Sequence, residues 1–148
     1  MYREHELDFE IVREPWNRYS LKDGSYVKSR YILTKVKRME PTQRGEKHSY
    51  GAEGQTVTVI TNVPENLKGP PSTRAYSPEE LSSSIVVDEV EYNILSEEWN
   101  EYVVEDGTKI RIKDTVTKVS RTNKCDQGGN PVYIVQHSTL VGVKPGKT

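Results

Sequence analysis

The stretch Phe9 to Arg38 recurs 83 positions later as Tyr92 to Arg121. Aligned without a gap, identical residues fall at Ile11/Ile94, Glu14/Glu97, Trp16/Trp99, Asn17/Asn100, Tyr19/Tyr102, Asp23/Asp106, Gly24/Gly107, Thr34/Thr117, Lys35/Lys118, Val36/Val119 and Arg38/Arg121. Self-similarity at a fixed offset dictates architecture, because each copy must build the same supersecondary unit. The 148 residues then divide into a first β repeat at 1–63, a Pro/Ser-rich connector at 64–83 and a second β repeat at 84–148. A unit of roughly 65 residues buries little apolar surface alone. The two copies are therefore expected to pack on each other about a pseudo-two-fold axis.

Within each copy the apolar residues follow the period of a strand. Leu7, Phe9 and Ile11 alternate with polar neighbours, and Tyr19 and Leu21 resume the alternation after Pro15. Asp23-Gly24 and Asp106-Gly107 read as two-residue hairpin turns, with positive φ at both central positions. In the long strand that follows, the apolar parity changes near Thr34 and again near Thr117, which predicts a β-bulge in each copy. Met39–Gly54 reads as an extended polar loop and Gln55–Val63 as a strand. In the connector, Ser77-Pro78-Glu79-Glu80 has the cap, the N1 proline and the third-position Glu of a short helix. The second copy continues through a tight turn at Gly128-Gly129 to a strand pair, Pro131–Gln136 and Thr139–Val143. Its counterpart is Val57–Asn62, so the first copy is expected to have the longer loop. The fold class is all-β: an internal duplication of a small barrel or rolled-sheet unit. Exchange of strands between the copies into one continuous barrel is the alternative.

The repeated residues offer several candidate sites. Trp16 and Trp99 suit either a ligand platform or a plug at the end of each barrel, and the area that tryptophan buries favours the plug. Asn17 and Asn100 are then expected to bond turn backbone, with Glu14 and Glu97 capping the same turn. Basic residues recur along the long strands at Lys28, Arg30, Lys35, Lys37 and Arg38, and at Lys109, Arg111, Lys113, Lys118 and Arg121. Lys28, Arg30, Arg111 and Lys113 share one parity, as a phosphate-neutralising strand face with nearby aromatics would require. The net charge of −1 is not that of a basic nucleic-acid domain. His5, His48 and His137 lack the close pairing of zinc ligands, and no metal or cofactor is expected. Cys125 lies in a Gly-rich turn, where a catalytic thiol would need a base such as His137 brought to it by the fold. An inert turn cysteine is the simpler reading, and no enzyme is expected.

Charge is split between the halves. Residues 1–74 carry +3 and residues 75–148 carry −4. That favours contact between the halves or between chains, within a screening length of about 10 Å. The leading expectation is a non-enzymatic binding or assembly module working through a protein partner or self-association. Its contacts are assigned to the loop Met39–Gly54 and the acidic stretch Glu97–Glu101. The alternative is single-stranded nucleic acid bound by Lys28, Arg30, Arg111, Lys113, Trp16 and Trp99. A single cysteine excludes an internal disulfide. No apolar run reaches the roughly 20 residues of a membrane helix, and MYREHELDFE has no apolar signal core. A cytoplasmic protein without a membrane partner is therefore expected.

Overall fold

A computed structural model describes residues 4–40 and 48–146. Ten strands follow one another: β1 (Glu4–Leu7), β2 (Phe9–Arg13), β3 (Asn17–Leu21), β4 (Tyr26–Met39), β5 (Ser49–Thr61), β6 (Ile85–Val87), β7 (Tyr92–Ser96), β8 (Asn100–Val104), β9 (Lys109–Cys125) and β10 (Pro131–Lys144). They form two five-stranded antiparallel sheets, and the chain is all-β apart from one turn of 3₁₀ helix and the helix α1 (Pro78–Ser82). The helix begins where the sequence places it, with Ser77 and Glu80 closing a capping box.

In the first sheet β4 is central, with β1 and β3 along one edge and β5 along the other; β7 lies beyond β3. In the second sheet β9 is central, with β6 and β8 along one edge and β10 along the other; β2 lies beyond β8. Thus β2 joins a sheet otherwise drawn from the second half of the chain, and β7 does the reverse. The registers match: Phe9 stands opposite Val104 and Tyr92 opposite Leu21. Each exchanged strand brings a ring edge-on to a buried tyrosine, Phe9 on Tyr102 and Tyr92 on Tyr19, both at 5.8 Å between centroids.

Both hydrophobic cores are consequently shared. One gathers Leu7, Leu33 and Val36 with Tyr102, Val104, Ile110 and Ile112. The other gathers Tyr19, Leu21 and Val27 with Val90, Val116 and Val119. Apart from Ile112, whose equivalent is the buried Ser29, each member of one core stands 83 positions from a member of the other.

Among the described residues no closed barrel forms, contrary to the barrel expected from the sequence. The strand that would extend each sheet toward closure is given to the opposite sheet, because Glu14–Trp16 and Glu97–Trp99 carry the chain from one sheet to the other rather than through a hairpin. The expected bulges are present. The β4–β5 ladder steps over Thr34 and the β9–β10 ladder steps over Thr117. Burial changes parity there, from Val27, Ser29 and Leu33 to Val36, and from Ile110, Ile112 and Val116 to Val119.

Three local readings are corrected. The Asp-Gly turns are not two-residue loops: the Leu21 carbonyl accepts the Gly24 amide, the Leu21 amide donates to Ser25, and positive φ occurs only at Gly24 (99°) and Gly107 (88°). This is a type I turn closed by a glycine bulge, which Asp fits by accepting the amide two residues on. Ser49–Gly54, read as loop, belongs to β5; residues 41–47 lie outside the described residues. Tyr50 faces Arg38 as Tyr133 faces Arg121, so the registers match at the offset of 83, while the link between the paired strands is longer in the first half (40–48) than in the second (126–130), as the sequence led us to expect. Finally, Pro131–Lys144 is one bulged strand where two were expected.

Candidate functional site

The two inter-sheet corners are built from the repeated residues. Tyr102 donates its hydroxyl to Glu14 at 2.8 Å, and Tyr19 donates to Glu97 at 2.7 Å. Burial, reinforced by the carboxylate each one meets, holds both tyrosine hydroxyls well above their ordinary pKa. Glu14 and Glu97 are therefore struts across the molecule rather than caps of the Trp-Asn turn. Asn17 and Asn100 likewise reach over to the other half, donating to the carbonyls of Asp114 (2.8 Å) and Tyr31 (2.9 Å).

The Asp-Gly turns carry a second reciprocal network. Arg121 and Tyr133 converge on Asp23, and Arg38 and Tyr50 converge on Asp106. Burial alone would raise the Asp106 carboxyl, but hydrogen bonds from Tyr50, Thr108 and Arg38 outweigh it and hold the pKa at about 2. Burial, backed by the Asp23 carboxylate, pushes the Tyr133 hydroxyl up to about 12. Tyr50 and Tyr133 stand 83 positions apart, and reading Tyr50 as part of a loop hid that match.

The six candidate binding residues assemble into two matching stacks. Lys28 lies 4.8 Å from the Trp16 ring centre with Arg30 at 5.9 Å; Arg111 lies 4.5 Å from the Trp99 ring centre with Lys113 at 5.9 Å. Both tryptophans are half-buried and neither belongs to a core. The barrel-plug reading is thereby replaced: the indoles pack under cationic side chains on the sheet surface. Arg30 is paired with Glu14 at 3.3 Å, and Lys113 approaches Glu97 at 3.8 Å. Of the ten recurrent strand cations, Lys35, Lys37, Arg38, Lys118 and Arg121 also hold carboxylates. Among the described residues, Lys28, Lys109 and Arg111 have no carboxylate within ion-pair distance, and neither does Lys144.

Three of those four cations meet at one place. A surface groove of about 660 Å³ lies over β8, β9 and β10, walled by Val12 and Val103, bordered by Gly142 and Val143, with Lys109, Arg111 and Lys144 at its sides. It occupies the outer face of the second sheet, where Glu101 and Val103 alternate with buried Asn100, Tyr102 and Val104. Gly142 forms part of it for a steric reason: a Cβ there would stand 2.9 Å from Arg111 Nε. Its absence lets the Arg111 side chain lie over the strand and reach Trp99. A glycine between two valines inside a strand, Val141-Gly142-Val143, is the signal that could have located this approach from sequence.

Of the residues expected to carry partner contacts, Glu97 is consumed internally by Tyr19 and Thr115, and Glu98 pairs with Arg13. Glu101 lines the groove. The catalytic pairing of Cys125 with His137 is excluded by register. Cys125 faces Pro131 while His137 faces Val116, nine residues further along β9, or about 30 Å at strand spacing.

His137 has other neighbours. Its Nδ1 lies 3.2 Å from the buried Asp114 carboxylate, an ion-pair distance without hydrogen-bond alignment, and its Nε2 lies 3.2 Å from the Thr58 hydroxyl. The order hydroxyl, imidazole, carboxylate is that of a nucleophile relay. Thr58 sits opposite buried Ser29 in the β4–β5 ladder, however, and this chain of contacts ties β5 to β10. The groove over β8, β9 and β10 does not reach these residues. Among the described residues no cluster of His, Cys, Asp and Glu could hold a metal, and no helix is long and apolar enough to cross a membrane. No protein-family model matches this chain, and no curated protein or solved structure matches it either.

Proposed function

We propose that this protein is a non-enzymatic binding module that holds an extended, acidic segment of a protein partner against the outer face of its second sheet. The observation that carries this reading is the groove over β8, β9 and β10. Its walls are aliphatic, and its three cations outnumber the one carboxylate that lines it, Glu101, with which none of them forms an ion pair. Apolar walls supply area, while unpaired cations supply charge selection and faster encounter. The reciprocal contacts at an offset of 83 further support an internal duplication with pseudo-two-fold packing and units at 1–63 and 84–148. On that reading, the equivalent surface around Lys28 and Trp16 is the ancestral twin of the groove.

The test is a titration of fluorescent acidic, valine- and leucine-containing peptides against the full chain, repeated with the double charge reversal Lys109→Glu, Arg111→Glu. The expected result is saturable binding that weakens at least tenfold in the variant. Binding that is absent, or equal in both proteins, overturns the reading.

The same free cations beside Trp99 favour a second reading, single-stranded nucleic acid. It is disfavoured by the neutralisation of Arg30 and Lys113 and by cations already lying over the indole faces. Anisotropy with short single-stranded DNA and RNA separates the two: affinity falling steeply with salt would assign the groove to phosphates.

A further inference from the structure

We propose that β10 pairs along its free edge with β10 of a second copy of this chain, joining two molecules through one continuous antiparallel sheet. This rests on the reading of the protein as a protein-contact module and names the partner for a second surface. β10 is the outermost strand of its sheet: among the described residues its main-chain ladder is with β9 alone, and its side-chain bonds to the first half, from Tyr133 and His137, lie before the run Ser138–Val143. The run Ser138–Val143 contains no charge and no proline, the two commonest devices that blunt an open edge. Leu140 and Val141 are each 54% exposed and Val143 is 41% exposed. The equivalent edge of the first sheet is better covered: Val57 is 38% exposed, and Thr58 and Ile60 are half-buried. The molecule therefore presents one open apolar edge where its internal reciprocity would give two.

The sequence of that edge is complementary to itself. In an antiparallel pairing centred on Val141, Thr139 faces Val143, Leu140 faces Gly142, and Lys144 faces Ser138. No like charges stand opposite each other, and each Leu140 meets the residue without a side chain. The row through Leu140 reads Lys113, Leu140, Gly142 and Arg111 across the two molecules. Its cations are three strand spacings apart, about 14 Å, beyond the screening length of about 8 Å. Main-chain pairing of this kind supplies affinity, while the register of alternate side chains supplies specificity. Because the added strand lies in the plane of the sheet, the groove on its outer face stays open.

The experiment is sedimentation equilibrium of the full chain across a wide concentration range, with Val141→Lys as the interface variant and Val57→Lys as the control on the other edge. Far-UV circular dichroism and the unfolding midpoint establish that both variants remain folded; the exposure of both side chains makes this the expected behaviour. Wild type and Val57→Lys are expected to dimerise, and Val141→Lys to dissociate at least tenfold more readily. A wild type that stays monomeric at every concentration, or a Val141→Lys protein that dimerises as tightly as wild type, overturns the proposal. So does a monomer whose β10 amides gain exchange protection only with an unrelated extended peptide. The acidic-peptide titration, run on the same Val141→Lys protein, reports separately on the groove.

Discussion

Asp106 has three donors on its carboxylate: the Tyr50 hydroxyl at 2.7 Å, Arg38 at 3.1 Å and the Thr108 amide at 3.0 Å. Asp23 holds the matching set from Tyr133, Arg121 and Ser25, and its pKa is also lowered against the opposing effect of burial. A carboxyl with a folded pKa below its unfolded value contributes stability that is fully present above the unfolded value, about 3.9, and is lost as pH falls through the folded one. For Asp106, held at about 2, this contribution is about 2 kcal/mol. Stability measured by denaturant unfolding is therefore expected to fall between about pH 4 and pH 2. Asp106→Asn should be less stable at neutral pH and should lose less over that window. An acid limb equally steep in the variant would show that the carboxylate network contributes nothing. The aspartates were legible as turn residues because an Asp-Gly turn is local. Their second task, receiving an arginine and a tyrosine from the facing half, depends on tertiary contacts that no local pattern encodes.

At the scale of elements, the bulges were legible, and strand exchange was legible only as the alternative, without the identity of the strands and with a closed barrel that does not form. A bulge changes which residues face inward, so it leaves a mark in apolar parity: Leu33 and Val36 cannot both point into a core on a regular strand. Deletion of Thr34 removes the extra residue and turns Val36, fully buried here, toward solvent. The expected result is a loss of about 3 kcal/mol or more, read as a fall in the unfolding midpoint. A variant within about 1 kcal/mol of wild type would contradict the role of the bulge. Exchange of β2 and β7 leaves no such mark, because Phe9 and Tyr92 face inward whichever sheet receives them. The tryptophans failed as barrel plugs for a related reason. A large apolar ring announces that it needs cover, but here the aliphatic stems and charged heads of Lys28 and Arg111 provide it from the surface. The groove itself was only partly legible. Arg111 was identified by its repetition, whereas Val12 and Val103 come together with Gly142 through pairing between distant strands.

At the scale of the whole molecule, the two halves are interleaved. Each core takes residues from both sides of the connector, and each sheet holds one strand from the other half. Reciprocal hydrogen bonds between the tyrosines and glutamates, and between the asparagines and carbonyls, close the contact from both directions. An isolated half would expose the inner face of its sheet and leave the buried partners of Tyr19 or Tyr102 behind, at a cost that a unit of this size cannot meet from its own burial. The connector can be cut without disturbing either core, since none of its residues belongs to one and its contacts run to turns and to the end of β9, as in the Gly69 amide bond to Gly129 and the Tyr76 hydroxyl bond to Cys125. The decisive measurement is to express residues 1–73 and 74–148 as separate chains and to follow each one, and their equimolar mixture, by near-UV circular dichroism and sedimentation. The expected result is that neither half folds as a monomer, while the mixture forms a one-to-one complex that unfolds cooperatively. Cooperative folding of either half as an isolated monomer would contradict the shared cores.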